Sequence, residues 1–397
     1  VTIAAVDTER AAPLVARIAE LGPSFAERAA GYDREAAFPY ENWADLRDIG
    51  FLGLCIPERY GGLGADFATY ALVAEELGRH CGSTALTFNM HTATCLLAGE
   101  VADALGLPPD EQALLEQRRA GLYADILANG TIHSQPFSEG LSGRATSGIA
   151  TTATPVEGGY RVRGKKIFAS LSEAAGIHDV VCLVPGDDRV RLLGVPADAD
   201  GVSIVGDWDP LGMRATVSRT LLFDDVFVPA ANEWIPPGMF GQVARRWPWF
   251  YMTLSFAYLG VTRSAVDLTR AYLRGDVDGT SRAAHPQKQA VWAEMQVRYH
   301  QARALCHAVL ADACVDPHPD LVARAWASMV TTMETAPEVA SLAIRACGGR
   351  SLLRPFPLER VYRDARAGAT MLPWSVEVCL DRLGRYGLDD EGDTTFA

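Results

Sequence analysis

The spacing of apolar residues changes twice along the chain, and those two changes restrict its fold more than any other feature. Over residues 8–128 apolar side chains recur three and four apart, as at Leu14, Ile18, Leu21 and Phe25, which predicts helices. Over residues 131–229 the pattern becomes short alternating or β-branched runs at 151–154, 160–163, 180–184, 220–223 and 226–228. Gly158-Gly159, Gly186-Asp187-Asp188 and Asp224-Asp225 punctuate them as turns. After Pro237 helical spacing returns, with Leu254, Ala257, Tyr258 and Val261 on one face and long Ala-rich runs to about Gly384. The expectation is an α+β chain in three units: an all-helical unit over 1–128, a small antiparallel β unit over 129–231 and a helical bundle over 232–397.

A chain of 397 residues that is 49% hydrophobic can bury a sizeable core without staples. Its eight cysteines are scattered, with no Cys-x-x-Cys pair and no zinc-ligand spacing, so they read as reduced thiols in a cytoplasmic protein and no metal is expected. A formal charge of −13 disfavours nucleic acid and anionic membranes as partners. No apolar run is long enough to cross a membrane, and the N-terminal stretch, interrupted by Asp7, Glu9 and Arg10, lacks a signal-peptide pattern. Nucleotide-binding, serine-hydrolase and zinc-protease motifs are missing, which leaves small molecules as the expected ligands.

The local sequences say more. In order they are residues 50–64 ending Tyr60-Gly61-Gly62-Leu63-Gly64, then Phe137-Ser138-Glu139-Gly140, Gly164-Lys165-Lys166-Ile167-Phe168-Ala169-Ser170, Leu211-Gly212-Met213-Arg214-Ala215-Thr216, Gly348-Gly349 and Tyr362-Arg363-Asp364-Ala365-Arg366. The ordered set resembles the acyl-CoA dehydrogenase superfamily over nearly the whole chain. The resemblance implies a helical N-terminal domain, a β-barrel-like middle domain, a C-terminal four-helix bundle, FAD at their junction, and a homotetramer or homodimer.

By the same resemblance Phe137 and Ser138 meet the flavin, with Ser138 where the family has a hydrogen-bonding Thr. Phe168 packs on the ring system and Ser170 donates a hydroxyl proton to N5. Gly348, Gly349, Arg282 and Trp374 complete the cofactor residues, although the family's pyrophosphate-binding Arg falls on Asp276 here. On the substrate side the matches are His91, Ser142, Arg144, Phe250 and Leu372.

The chain departs from that pattern where dehydrogenation needs a base. Removal of the proton alpha to a thioester uses a carboxylate, yet the two usual positions fall on Leu372 and near Phe250. Glu377 is the nearest downstream carboxylate, and His91, in Asn89-Met90-His91-Thr92, is the other acid–base candidate, so the expected catalytic set is His91, Ser170 and Glu377.

Three readings stay open. One is α,β-dehydrogenation of a CoA- or carrier-bound acyl thioester with a non-standard base, passing electrons to an electron-transfer flavoprotein. The second follows the flavin-dependent monooxygenases of this fold, amino-sugar nitrososynthases among them, which residues 362–373 also resemble. They use reduced flavin from a reductase, FMN being possible, to oxygenate an amine, aromatic or biosynthetic intermediate, and they need no such base. The third is a catalytically silent partner subunit.

Overall fold

Gly78 and Gly260 set how the first helical unit meets the last. A Cβ on Gly78 would lie 2.2 Å from the Ala257 carbonyl oxygen, and one on Gly260 would lie 2.2 Å from that of Glu75. The two backbones therefore cross in direct contact, which offsets the helix propensity that an interior glycine costs. The structure, a computed structural model, describes residues 8–140, 148–371 and 374–388.

The first unit comprises α1 (Thr8–Glu35), α2 (Tyr40–Asp48), α3 (Phe67–His80), α4 (Gly82–Leu96), the single turn α5 (Ala102–Ala104) and α6 (Pro109–Asn129). Asp66 caps α3 by accepting from the Thr69 amide at 2.8 Å, and α6 stops at Gly130 in the left-handed region. After the sheet follow α7 (Met239–Arg246), α8 (Thr253–Arg274), α9 (Pro286–Ala311), α10 (Pro319–Cys347), α11 (Leu358–Ala367) and α12 (Val376–Arg385). The long helices α8, α9 and α10 pack on one another, and α10 also carries α11 and α12.

The strands are β1 (His133–Ser134), β2 (Thr152–Val156), β3 (Gly159–Ala169), β4 (Ile177–Val184), β5 (Asp187–Pro196), β6 (Val202–Val205) and β7 (Arg219–Pro229). Their order is β1-β4-β2-β3-β7-β6, with β5 on β4. The expected antiparallel pairing holds for β2–β3, β3–β7, β4–β5 and β6–β7, whereas β1 and β2 run parallel to β4. Strand β4 is long enough to receive β1 at Ile177 and His178 and β2 at Leu183 along the edge that β5 leaves open.

Side chains alternate across β4, so Val180 and Cys182 join the sheet's own core while Val181 joins the large helical core. Burial on both faces also takes in His178 and Asp179, and the sheet thereby acquires polar groups in its interior. No helix among the described residues is long and apolar enough to cross a membrane.

Candidate functional site

Three segments meet where β3 ends: residues 137–140, 167–172 and 213–218. The Ile167 amide donates to the Ser138 carbonyl at 2.7 Å, and the Leu171 and Ser172 amides donate to the carbonyls of Thr216 and Val217 at 3.1 and 3.3 Å. Seven non-glycine residues among those described have positive φ, and four of them lie here: Phe168 (51°), Leu171 (68°), Met213 (53°) and Val217 (44°). Left-handed backbone is unfavourable for any Cβ and most of all for a β-branched residue such as Val217. Concentrated strain of this kind marks a place where function outweighs local propensity.

The same backbone turns Phe168 outward, so that 69% of it is exposed beside the half-buried Ser170. From Ser170 a row of hydroxyls leads inward. Ser170 Oγ lies 2.8 Å from Ser218 Oγ, which lies 2.8 Å from Thr216 Oγ1, which donates to the Met213 carbonyl at 2.9 Å. The Met213 amide in turn donates to Asp364 Oδ1 on α11 at 2.5 Å. Burial raises the Asp364 pKa to about 6 despite that amide and the nearby Arg360.

Beneath the site is a buried ion pair, Lys166 Nζ to Glu139 Oε1 at 2.5 Å. Lys166 also donates to the Val181 carbonyl, and Glu139 accepts from the Thr151 hydroxyl. Burial alone would favour a neutral Glu139, but Lys166 and the Ala150 amide hold its pKa below the ordinary carboxylate value. The pair ties the end of β3 to the 137–140 segment. Both residues lie in recognised segments, but neither was given a role from sequence. A signal exists in the strand alternation, because Lys166 has the inward parity of Val162, where an unpaired cation would be costly.

The sequence-derived residues fall into separate groups. Phe137, Ser138, Phe168 and Ser170 come together, with the Phe137 ring 5.7 Å from that of Phe240 on α7. His91 is fully buried with both ring nitrogens occupied: Nε2 lies 2.9 Å from the Leu52 carbonyl, and Nδ1 accepts the His133 amide at 3.1 Å. Those partners require a proton on Nε2 and none on Nδ1, and burial lowers the ring's pKa to about 4. His91, expected as an acid–base and substrate-contact residue, thus stands as a neutral ring that joins residue 52 to strand β1. Beyond it, His133 Nδ1 meets Asp179 Oδ2 at 3.0 Å, and Thr94 and Trp234 also donate to Asp179.

Arg282 lies in the loop between α8 and α9, donating to Asp278 Oδ2 at 2.7 Å and stacking 4.2 Å from the centre of the Tyr272 ring. Gly348 ends α10 with φ 75°, and Gly349 begins the turn that follows. Phe250 and Trp374 are buried in the helical core, and Glu377 is exposed on the first turn of α12. Exposure leaves Glu377 without the low-dielectric setting that a base in a closed pocket requires. Ser142, Arg144 and Leu372 lie outside the described residues.

Three family profiles cover most of the chain: acyl-CoA dehydrogenase, N-terminal domain, over residues 15–100; middle domain over 135–226; and C-terminal domain over 250–372. Among curated relatives, the short-chain-specific acyl-CoA dehydrogenase of Clostridium acetobutylicum is 28% identical over 85% of this chain and 87% of its own. The L-evernosamine nitrososynthase of a Micromonospora species is 28% identical over 94% and 89%. Among solved structures, FMN-bound TdsC from Paenibacillus sp. A11-2 superposes with a TM-score of 0.80 at 23% identity, covering 94% of this chain and 96% of that one.

Proposed function

The chain belongs to the acyl-CoA dehydrogenase family, and from that premise we propose that this flavin-dependent oxidoreductase transfers oxygen to a small molecule rather than dehydrogenating an acyl thioester. The observation that carries the proposal concerns carboxylates. Among the described residues, the carboxylates within the three site segments or bonded to them are Glu139, Asp209 and Asp364, and Glu173 directly follows the second segment. Glu139 is paired with Lys166, Glu173 with Arg219, and Asp209 with Arg214, while Asp364 is buried on the Met213 amide. None is placed as a general base for an alpha proton, and oxygen transfer does not call for one.

The residues present fit a flavin ring. Phe168 offers an exposed aromatic face, Ser170 a polar atom two residues on, and the 137–140 segment a stretch of backbone alongside. When bound, the flavin supplies the two-electron carrier that activates dioxygen. The protein's own part is to shield one ring face with Phe168, to hydrogen-bond its edge through Ser170, and to fix both through the Lys166–Glu139 pair and the Asp364–Met213 bond.

We take FMN as the cofactor, because Arg274 and Arg282, the two guanidinium groups flanking the family's pyrophosphate-binding position, are already paired with Asp276 and Asp278. The nitrososynthase relative supports a substrate of the amine or biosynthetic-intermediate class, and we assign the supply of reduced flavin to a separate reductase. The chain is expected to self-associate through the bundle, where Leu352 and Leu353 are exposed just beyond Gly348 and Gly349.

Anaerobic mixing of the oxidised holoenzyme with straight-chain and branched acyl-CoA thioesters tests the proposal. The expected result is unchanged flavin absorbance, with an oxygenated product formed only when reduced flavin, dioxygen and an amine or aromatic acceptor are supplied together. Bleaching by any thioester at a turnover rate overturns oxygen transfer in favour of dehydrogenation. Purified protein that holds no flavin, added or endogenous, points instead to a silent subunit.

A further inference from the structure

The hydroxyl row behind Phe168 has a fixed direction, which follows from counting protons. A serine or threonine hydroxyl carries one proton and two lone pairs. Thr216 Oγ1 sits 2.9 Å from the Met213 carbonyl, which can only accept, so the Thr216 proton points there. Thr216 must then accept in its 2.8 Å contact with Ser218, which places the Ser218 proton on Thr216. Ser218 must accept in its 2.8 Å contact with Ser170, which places the Ser170 proton on Ser218. The far end is held as well, because the Met213 amide is bound to Asp364, and both Met213 and Val217 have left-handed φ values. Thr216 and Ser218 are buried, and only Ser170, at the Phe168 end, is partly open.

We infer that Thr216 and Ser218 are positioning residues that lock Ser170 as a hydrogen-bond acceptor, so that the site prefers the reduced flavin ring to the oxidised one. The inference rests on the reading that the ring lies against Phe168. Of the ring atoms, N5 gains an N–H when the ring takes up two electrons and is a bare acceptor before that. A hydroxyl whose proton is already committed inward matches the N–H and opposes the bare nitrogen. This reverses the expectation that Ser170 donates to N5. It also suits a protein that receives flavin already reduced, since the preference would draw that form from solution and release the oxidised ring after turnover.

The test is anaerobic titration of the full chain with oxidised and with photoreduced FMN, and with FAD in parallel, followed by ultrafiltration to read the two dissociation constants. The wild-type protein should bind the reduced form more tightly. Thr216→Val removes the inner acceptor for Ser218, whose proton can then turn to Ser170, freeing the Ser170 proton to face outward. The ratio of the two constants should move by about tenfold toward the oxidised form, equivalent to about 30 mV in the two-electron potential of the bound flavin. Thr216→Ser should restore the wild-type ratio. Ser218→Ala should shift it the same way by about threefold, and it serves alone if Thr216→Val does not fold by circular dichroism.

In a Ser170→Ala background the Thr216→Val shift should vanish, because the effect passes through that hydroxyl. A merely structural role would weaken both forms equally. If both forms bind the wild-type protein and the ratio is unmoved by Thr216→Val and Ser218→Ala, the locked acceptor is overturned while the flavin reading stands. If neither form binds the wild-type protein, both fall together.

Discussion

Two polar clusters in this molecule are similarly rich in hydrogen bonds and opposite in kind. Between α3 and α9, Glu75 is buried and accepts from Arg303 at 2.7 Å, His307 at 2.9 Å and Tyr299 at 3.0 Å. At the end of β3, the row from Ser170 to Met213 is uncharged, hangs on left-handed backbone and finishes at an exposed aromatic. The first cluster is built to hold helices, since a buried carboxylate surrounded by donors fixes a packing arrangement and has little left to offer a ligand. The second keeps an unfilled lone pair and a strained, outward Phe, which is how a site for another molecule differs from a joint.

Breaking the structural side should have the larger effects. His91→Ala removes the partner of both the Leu52 carbonyl and the His133 amide and leaves a cavity, a loss of about 4 kcal/mol in urea unfolding. The ratio of reduced to oxidised flavin affinity should be unchanged in whatever fraction stays folded, and a selective loss of turnover at normal stability would restore His91 to the chemistry. Glu75→Gln should cost about 3 kcal/mol by leaving Arg303 without a counter-charge.

The same cluster gives a pH signature. Burial pushes the Glu75 pKa up, but hydrogen bonds from His307 and Arg303 outweigh it and hold it at about 2. The folded value is thus below the unfolded one of about 4.3. The stabilisation is complete above that value and is lost as pH falls from about 4.3 toward 2, so the melting temperature of wild type should drop more steeply there than that of Glu75→Gln. Parallel curves would show that the carboxylate is not the anchor.

On the other side of the comparison, Phe168→Gly should relieve the positive φ and raise stability by up to about 1 kcal/mol, while flavin affinity falls at least about tenfold. Loss of stability with unchanged flavin affinity would make Phe168 a packing residue after all. Last and smallest, Glu377→Gln on the exposed first turn of α12 should stay within about 0.5 kcal/mol of wild type and leave turnover intact.

The layering of the chain was legible because it depends on local periodicity: the helical spacing around Ile18 and Phe25 reappears in α1, and the runs at 220–223 and 226–228 merge into β7. Strands β1, β5 and β6 went unread: β1 is two residues long, β5 begins at Asp187, which reads as part of a turn, and the mixed burial of β5 and β6 blurs the alternation. The Phe168 and Ser170 positions were legible as a motif, but the left-handed backbone at Phe168 and Leu171 was not, because the segment is held by the pairing of residues 171 and 172 with residues 216 and 217 across the site. Thr216 lay within a recognised segment without a role, and Ser218 carried no signal at all.

What the amino-acid order determined by itself was the three-unit architecture, the family, and the absence of a carboxylate at the usual dehydrogenase positions, all of which are properties of residue type and spacing. What only the tertiary structure decided was where each proton goes. His91 becomes neutral and occupied through a carbonyl 39 residues away and an amide 42 residues away, and Ser170 becomes an acceptor through a hydroxyl 48 residues away. A hydroxyl or an imidazole has no fixed role until its neighbours are set, and those neighbours are brought together by packing across the chain rather than along it.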